Sequence, residues 1–188
     1  MEKNIHSYEI SLPGCAEPSI WIKQGGTVVL VTAVAGKAPE AYQDFFPLTV
    51  NYVEKMYSVG KIPGGYVKRE TKPSDRETLI SRLIDRPLRP LFDDGYRNET
   101  QVVATVLSAD GNGLPDILAL NAASAALMIS DIPFSMAVGG VRIGKLNGEL
   151  LVNPPVELHE KLDMNIVVAG TKDAIAMVEA GMNGVTEE

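Results

Sequence analysis

The chain has 188 residues, 45% of them hydrophobic and 22% charged, a balance that suits a globular domain able to bury a core without crosslinks. Its net charge of −7 argues against indiscriminate nucleic-acid binding, and its single cysteine, Cys15, leaves no internal disulfide and fits a reducing cytoplasm. There is no apolar run of about 18 residues and no signal-peptide core, so no membrane association is expected. His6, His159 and Cys15 are too scattered to suggest a metal cluster.

The charge is uneven. Between Lys61 and Arg89 stand eight basic and four acidic residues, against nine and twenty in the rest of the chain. Such an island suits either a locally focused anion site or an ordinary solvated helix face.

Strands are expected at residues 8–12 and 20–22. The β-branched run at 27–34 reads as a buried strand, and 48–53 as another. Residues 35–46 read as loop. So does the glycine-rich, charged stretch GKIPGGYVKRET at 60–71, with Tyr66 at its tip. Ser74 and Glu77 then form a capping box that starts a helix. Leu79, Ile80, Leu83 and Ile84 should face the core, with Arg82 and Arg86 opposite. Pro87 should end the helix, and Arg89 follows, so all three arginines are expected on one side.

A strand is expected at 101–109. The helix expected at 117–129 is apolar nearly all round and so should be central. Residues 137–143 and 149–152 flank Asn147-Gly148, a two-residue hairpin signal. A strand at 164–169 and a helix at 171–180, capped by Thr171, complete the pattern. Strands, helices and a hairpin in this order imply an α+β or split α/β domain.

Few residues carry chemistry. The turn Ala109-Asp110-Gly111-Asn112-Gly113 precedes a helix and admits a phosphate-binding role. Against it, Pro115 supplies no amide hydrogen and Asp116 repels anions, so an ordinary helix start is the alternative. Asp163 and Asp173 bracket a strand, but Asn165 stands between them and weakens any cation site. Tyr66 beside Lys68 and Arg69 suits stacking on a base and pairing with its phosphate, though such loops are common.

Several phrases together resemble polynucleotide phosphorylase: AYQDFFPLTVNYVEKMYSVGKIPGGYVKRE, KPSDRETLISRLIDRPLRPLF, PDILALNAASAALMISDIPF and DMNIVVAGT. Their order matches the first RNase PH-type domain of that family, from about Gly26 onward. The resemblance implies an α+β fold of the RNase PH type (ribosomal protein S5 domain 2-like), a mixed sheet packed with helices, spanning residues 1–188 and stopping before its final helix. It implies part of a 3′-to-5′ exoribonuclease that degrades single-stranded RNA by phosphorolysis to nucleoside diphosphates, reversibly. It also implies a cytoplasmic homotrimer, with RNA degradosome components as possible partners.

In that family Mg²⁺ and inorganic phosphate are bound by a second domain, through a serine-rich turn and an Asp-x-Asp-x-Lys pattern. Here Leu114, Pro115 and Asp116 replace the serines, and Asp163, Asn165 and Val167 stand in the other pattern. The resemblance therefore implies no catalytic residue in this chain and no metal site. It implies instead RNA contacts at Tyr66, Lys68 and Arg69, where the family has a Phe-Phe-Arg-Arg loop, and at Arg82, Arg86 and Arg89. Pairing of these arginines with Asp85 is the alternative. The other functional alternative is a non-enzymatic RNase PH-like ring subunit of an exosome-type complex.

Overall fold

The computed structural model describes residues 9–11, 18–39, 44–65 and 68–184. Strands β1 (Glu9–Ser11), β2 (Ser19–Gln24), β3 (Thr27–Ala35), β4 (Leu48–Glu54) and β5 (Thr100–Ser108) form a mixed sheet in the order β1-β2-β3-β5-β4. β4 runs parallel to β5, and the other neighbours are antiparallel. Strands β6 (Gly139–Leu146), β7 (Glu149–Val152), β8 (Met164–Gly170) and β9 (Ile175–Met182) form an antiparallel sheet in the order β7-β6-β8-β9. The expected α+β class is present, with two sheets where one was expected.

Helix α2 (Pro115–Met128) lies between the sheets, against β2, β3 and β5 on one side and β6 on the other. Its lack of a polar face explains the position, since every side must be covered. Ile117, Leu118, Ala119, Leu120, Ala122, Ala123, Ala126 and Leu127 are all buried. The sheet facing it contributes Val29, Val31 and Ala33 from β3 and Val102, Ala104 and Val106 from β5. The β3 run is thus buried on one face only, not throughout. Its alternate residues are half-buried, and Val34 is exposed.

Helix α1 (Asp75–Leu88) packs beside β4. Its capping box is formed in full, with the Glu77 amide donating to Ser74 Oγ (3.1 Å) and the Ser74 amide to Glu77 Oε2 (2.6 Å). Glu77 Oε1 also accepts the Glu54 amide of β4 (2.8 Å). Burial tends to raise the Glu77 pKa, but the amides of Ser74 and Glu54 outweigh it and leave the group lowered. Two details differ from expectation. Leu79 is 60% exposed, because the core-facing stripe is Ile80, Leu83, Ile84, Pro87 and Leu88. Pro87 also sits inside the last turn, which continues through Leu88.

The helix expected at 171–180 is instead a turn and strand β9. The Thr171 amide donates to the Ala174 carbonyl (2.8 Å), and Thr171 Oγ1 accepts the amides of Asp173 and Ala174, folding the chain back along β8. Ala, Met and Glu are good helix formers, but propensity is a small term and pairing with the open edge of β8 overrides it. The Asn147-Gly148 hairpin forms as expected, both residues with positive φ (51° and 86°).

Asp110 ties the β2–β3 turn to the β5–α2 connection. Its carboxylate accepts the Gly26 amide (2.9 Å), the Thr27 hydroxyl (2.8 Å) and the amides of Asn112 (3.0 Å) and Gly113 (3.2 Å). A Cβ on Gly113 would meet Thr27 Cβ at 2.6 Å, so glycine is required for the approach. These donors, led by the Gly26 amide, hold the Asp110 carboxyl well below the usual carboxylate range. The contribution is present above the unfolded carboxylate value of roughly 4 and is lost as pH falls through the lower folded value. Asp110→Asn is expected to lower Tm by a few degrees at neutral pH, with the gap to wild type closing in thermal scans taken toward about pH 2. A gap that does not change with pH would mean that shape, not charge, makes the tie.

Candidate functional site

A groove of about 840 Å³ opens between the outer edge of β4, the start of α1 and the segment at 70–74. Strand β4 is an edge strand, and side chains satisfy part of that edge. The Tyr52 amide donates to Ser81 Oγ (2.9 Å), the Glu54 amide to Glu77, and the Leu48 carbonyl accepts from Arg89 Nη2 (3.1 Å). Tyr52 itself is buried beneath the groove, and its hydroxyl donates to Glu54 Oε1 (2.6 Å). Burial first, and then Glu54, push its phenol far above the ordinary value, so it stays neutral.

The 60–71 loop leaves and rejoins the fold at one point. The Lys61 amide donates to the Met56 carbonyl (3.0 Å), and the Met56 amide donates to Glu70 Oε1 (2.9 Å). Lys55 Nζ donates to the Glu70 carbonyl (2.7 Å). The loop root is therefore fixed at the mouth of the groove, which Glu70, Thr71 and Lys72 line. Lys68 and Arg69 form an exposed turn just before Glu70 and have no hydrogen-bond or ion-pair partner among the described residues. Tyr66 lies outside the described residues.

The three arginines separate. Arg82 and Arg86 are exposed on α1 without a partner among the described residues, and Arg82 lines the groove. Arg89, though also exposed, is engaged by the fold in the Asp85 pairing that the sequence left as the alternative. Its Nε and Nη2 grip Asp85 (3.1 and 2.8 Å), its Nη1 and Nη2 reach the carbonyls of Phe46 (3.2 Å) and Leu48, and its guanidinium lies 5.9 Å from the Phe46 ring centroid. It holds the end of α1 to the entry of β4.

Neither candidate anion nor candidate metal position fits its ligand. The amides of Asn112 and Gly113 are already taken by Asp110. At the start of α2, Pro115 has no amide hydrogen, and Asp116 Oδ2 pairs with Arg142 Nη2. Arg142 Nη1 donates in turn to Asn165 Oδ1 (2.8 Å). A buried ion pair thus fills the space between the α2 start and β8, and Arg142 Nε is left buried without a partner among the described residues. Asp163 and Asp173 are exposed, and no group of three or more His, Cys, Asp or Glu among the described residues is arranged to hold a metal. Sequence reasoning missed Arg142, one of two cations, with Lys145, in the largely apolar β6. It also missed Glu70 and Ser81, whose partners lie 14 and 29 residues away.

Among the described residues, no helix is long and apolar enough to cross a membrane. Residues 7–133 match the 3′ exoribonuclease family, domain 1, and residues 137–188 match its domain 2. The chain is 58% identical over 167 residues to the polyribonucleotide nucleotidyltransferase of Finegoldia magna, covering 89% of this chain and 23% of that protein. It is 57% identical over 170 residues to that of Heliobacterium modesticaldum, covering 90% and 24%. The chain thus spans about a quarter of the length of the curated relatives it matches. Its fold is similar to that of rice (Oryza sativa) Rrp46, with a TM-score of 0.74 at 17% identity over 97% of this chain and 83% of that one. It is also similar to a chain of the Archaeoglobus fulgidus exosome with RNA bound to the active site, with a TM-score of 0.70 at 19% identity over 97% and 80%. On the strength of the domain matches across residues 7–133 and 137–188, the chain belongs to the 3′ exoribonuclease family.

Proposed function

We propose that this chain is the non-catalytic first RNase PH-type domain of a 3′-to-5′ phosphorolytic exoribonuclease, and that it guides single-stranded RNA rather than cutting it. One observation carries the assignment. Lys68 and Arg69 stand exposed on a loop whose root is pinned at the mouth of a groove, and Arg82 lines that same groove. Two loose cations at one end and an arginine along the wall suit a phosphate backbone that slides without being read. Arg86 extends the path along α1, Tyr66 is proposed to stack on a base at the loop tip, and Arg89 serves by fixing the helix end.

The absence of chemistry in this half rests on the Asp116–Arg142–Asn165 cluster, which occupies the α2 start with neutralised charge. Inorganic phosphate and Mg²⁺ are accordingly assigned to a second domain outside this chain. Assembly as a cytoplasmic homotrimer, with degradosome partners, belongs to the same proposal. Relatives at 55–58% identity that carry the polyribonucleotide nucleotidyltransferase name favour this over an exosome-type ring subunit, for which the support is likeness of fold alone.

The full-length protein should release nucleoside diphosphates from poly(A) only when phosphate is supplied. Replacing Lys68 and Arg69 together by Ala should raise KM about tenfold, change kcat little, and flatten the salt dependence of RNA binding by roughly two counterions. Unchanged KM and salt slope would remove the loop from the RNA path. For the buried cluster, Arg142→Leu should cost about 3 kcal/mol in urea unfolding by stranding Asp116, and adding Asp116→Leu should recover most of it. Retained phosphorolysis in the double variant is expected, and its loss would return chemistry to this domain.

A further inference from the structure

We propose that Tyr57 is a base-stacking platform for single-stranded nucleic acid at the neck of the cationic loop, an inference that rests on the RNA-guiding function proposed above. Tyr57 lies in the short 3-10 turn Met56–Val59 and is 53% exposed. Met56, Val59 and Ile62 around it are 42%, 52% and 91% exposed, and nothing among the described residues covers them. Four large apolar or aromatic side chains exposed within seven consecutive residues mark a candidate contact surface.

The backbone beneath this patch is firmly held. Ser58 is buried, its hydroxyl donates to the Lys55 carbonyl (2.7 Å), and its own carbonyl accepts the Ala109 amide at the end of β5 (2.9 Å). Gly60 closes the turn with φ +69°, donating its amide to the Tyr57 carbonyl. An aromatic ring on a rigid base loses little freedom when a ligand stacks on it, which makes each contact more favourable.

The surroundings select the ligand. Glu70 grips Lys55 and Met56, which brings the Lys68–Arg69 turn to the same neck. Lys61 and Lys72 are exposed at either end of the loop. Exposed apolar and aromatic side chains on a neck whose loop carries Lys61, Lys68, Arg69 and Lys72 complement a polyanion that offers flat apolar faces. A single strand has both, whereas a duplex hides its bases. A protein partner would need to meet these cations with its own acids, and it is the competing occupant that the experiment must exclude.

The test uses the full-length protein carrying Tyr57→Ala or Tyr57→Phe. Fluorescence anisotropy measures binding of an oligo(A) and of an abasic oligomer of equal length, over a range of salt, and light scattering follows the oligomeric state. Tyr57→Ala should weaken oligo(A) binding about tenfold while leaving abasic binding, salt slope and assembly unchanged, and Tyr57→Phe should retain wild-type affinity. Undiminished oligo(A) binding in Tyr57→Ala, an equal loss on both oligomers, or a changed oligomeric state would each overturn the platform, the last by showing a protein interface. The Lys68/Arg69 variant, measured alongside, keeps the two ideas apart, since its altered salt slope would stand whether or not Tyr57 stacks.

Discussion

A helix that is apolar all the way round must be covered on every side, and α2 is such a helix. One sheet covers it from β2, β3 and β5, the other from β6. Helix α1 adds to this cover, touching α2 while packing chiefly at the outer edge of β4. Edge strands carry unpaired amides and carbonyls, and α1 meets them with Ser81, Glu77 and Arg89 in place of another strand. Side chains reach farther than a paired backbone would, so a groove remains between strand and helix. The position of the candidate RNA path is thus a consequence of how α2 is buried.

Charge is used in two ways along this edge. Arg89, Glu77 and Glu70 are consumed by the fold, each spanning from helix or loop to the β4 segment or its extension. Lys68, Arg69, Arg82 and Arg86 are left toward solvent. A chain of net charge −7 can attract RNA at one place only if its acids elsewhere do not neutralise that place. Near the loop, Glu70 and Glu77 direct their carboxylates to backbone amides rather than to the exposed cations, while Asp75 stands exposed at the start of α1. Across the core, Asp116 and Arg142 neutralise each other beside the start of α2.

What was legible in the sequence was mostly local. The Ser74–Glu77 box, the Asn147-Gly148 turn and the uniform apolarity of α2 act over a few residues and formed as read. Strand β9 was not legible, because its residues mildly prefer helix and only pairing with β8 makes them extended. Leu79 fits a helical hydrophobic stripe, yet its side of α1 meets solvent. Arg89 looked equivalent to Arg82 and Arg86 until the carbonyls of Phe46 and Leu48, more than 40 residues earlier, came within reach. Arg142 gave almost no signal, since its partners lie 26 and 23 residues away on separate elements. The resemblance to the phosphorolytic family rested on whole phrases and survived these local errors.

The central claim is that a single strand passes from the 60–71 loop along the groove beside α1. Photo-crosslinking of a short 4-thiouridine-labelled RNA to the full-length protein, followed by peptide mass spectrometry, tests it most directly. Crosslinks should concentrate in the loop and at the Arg82–Arg86 stretch of α1, and should be absent from the α2–β8 region around Arg142. Crosslinks that gather around Arg142, or that avoid the loop altogether, would contradict the account.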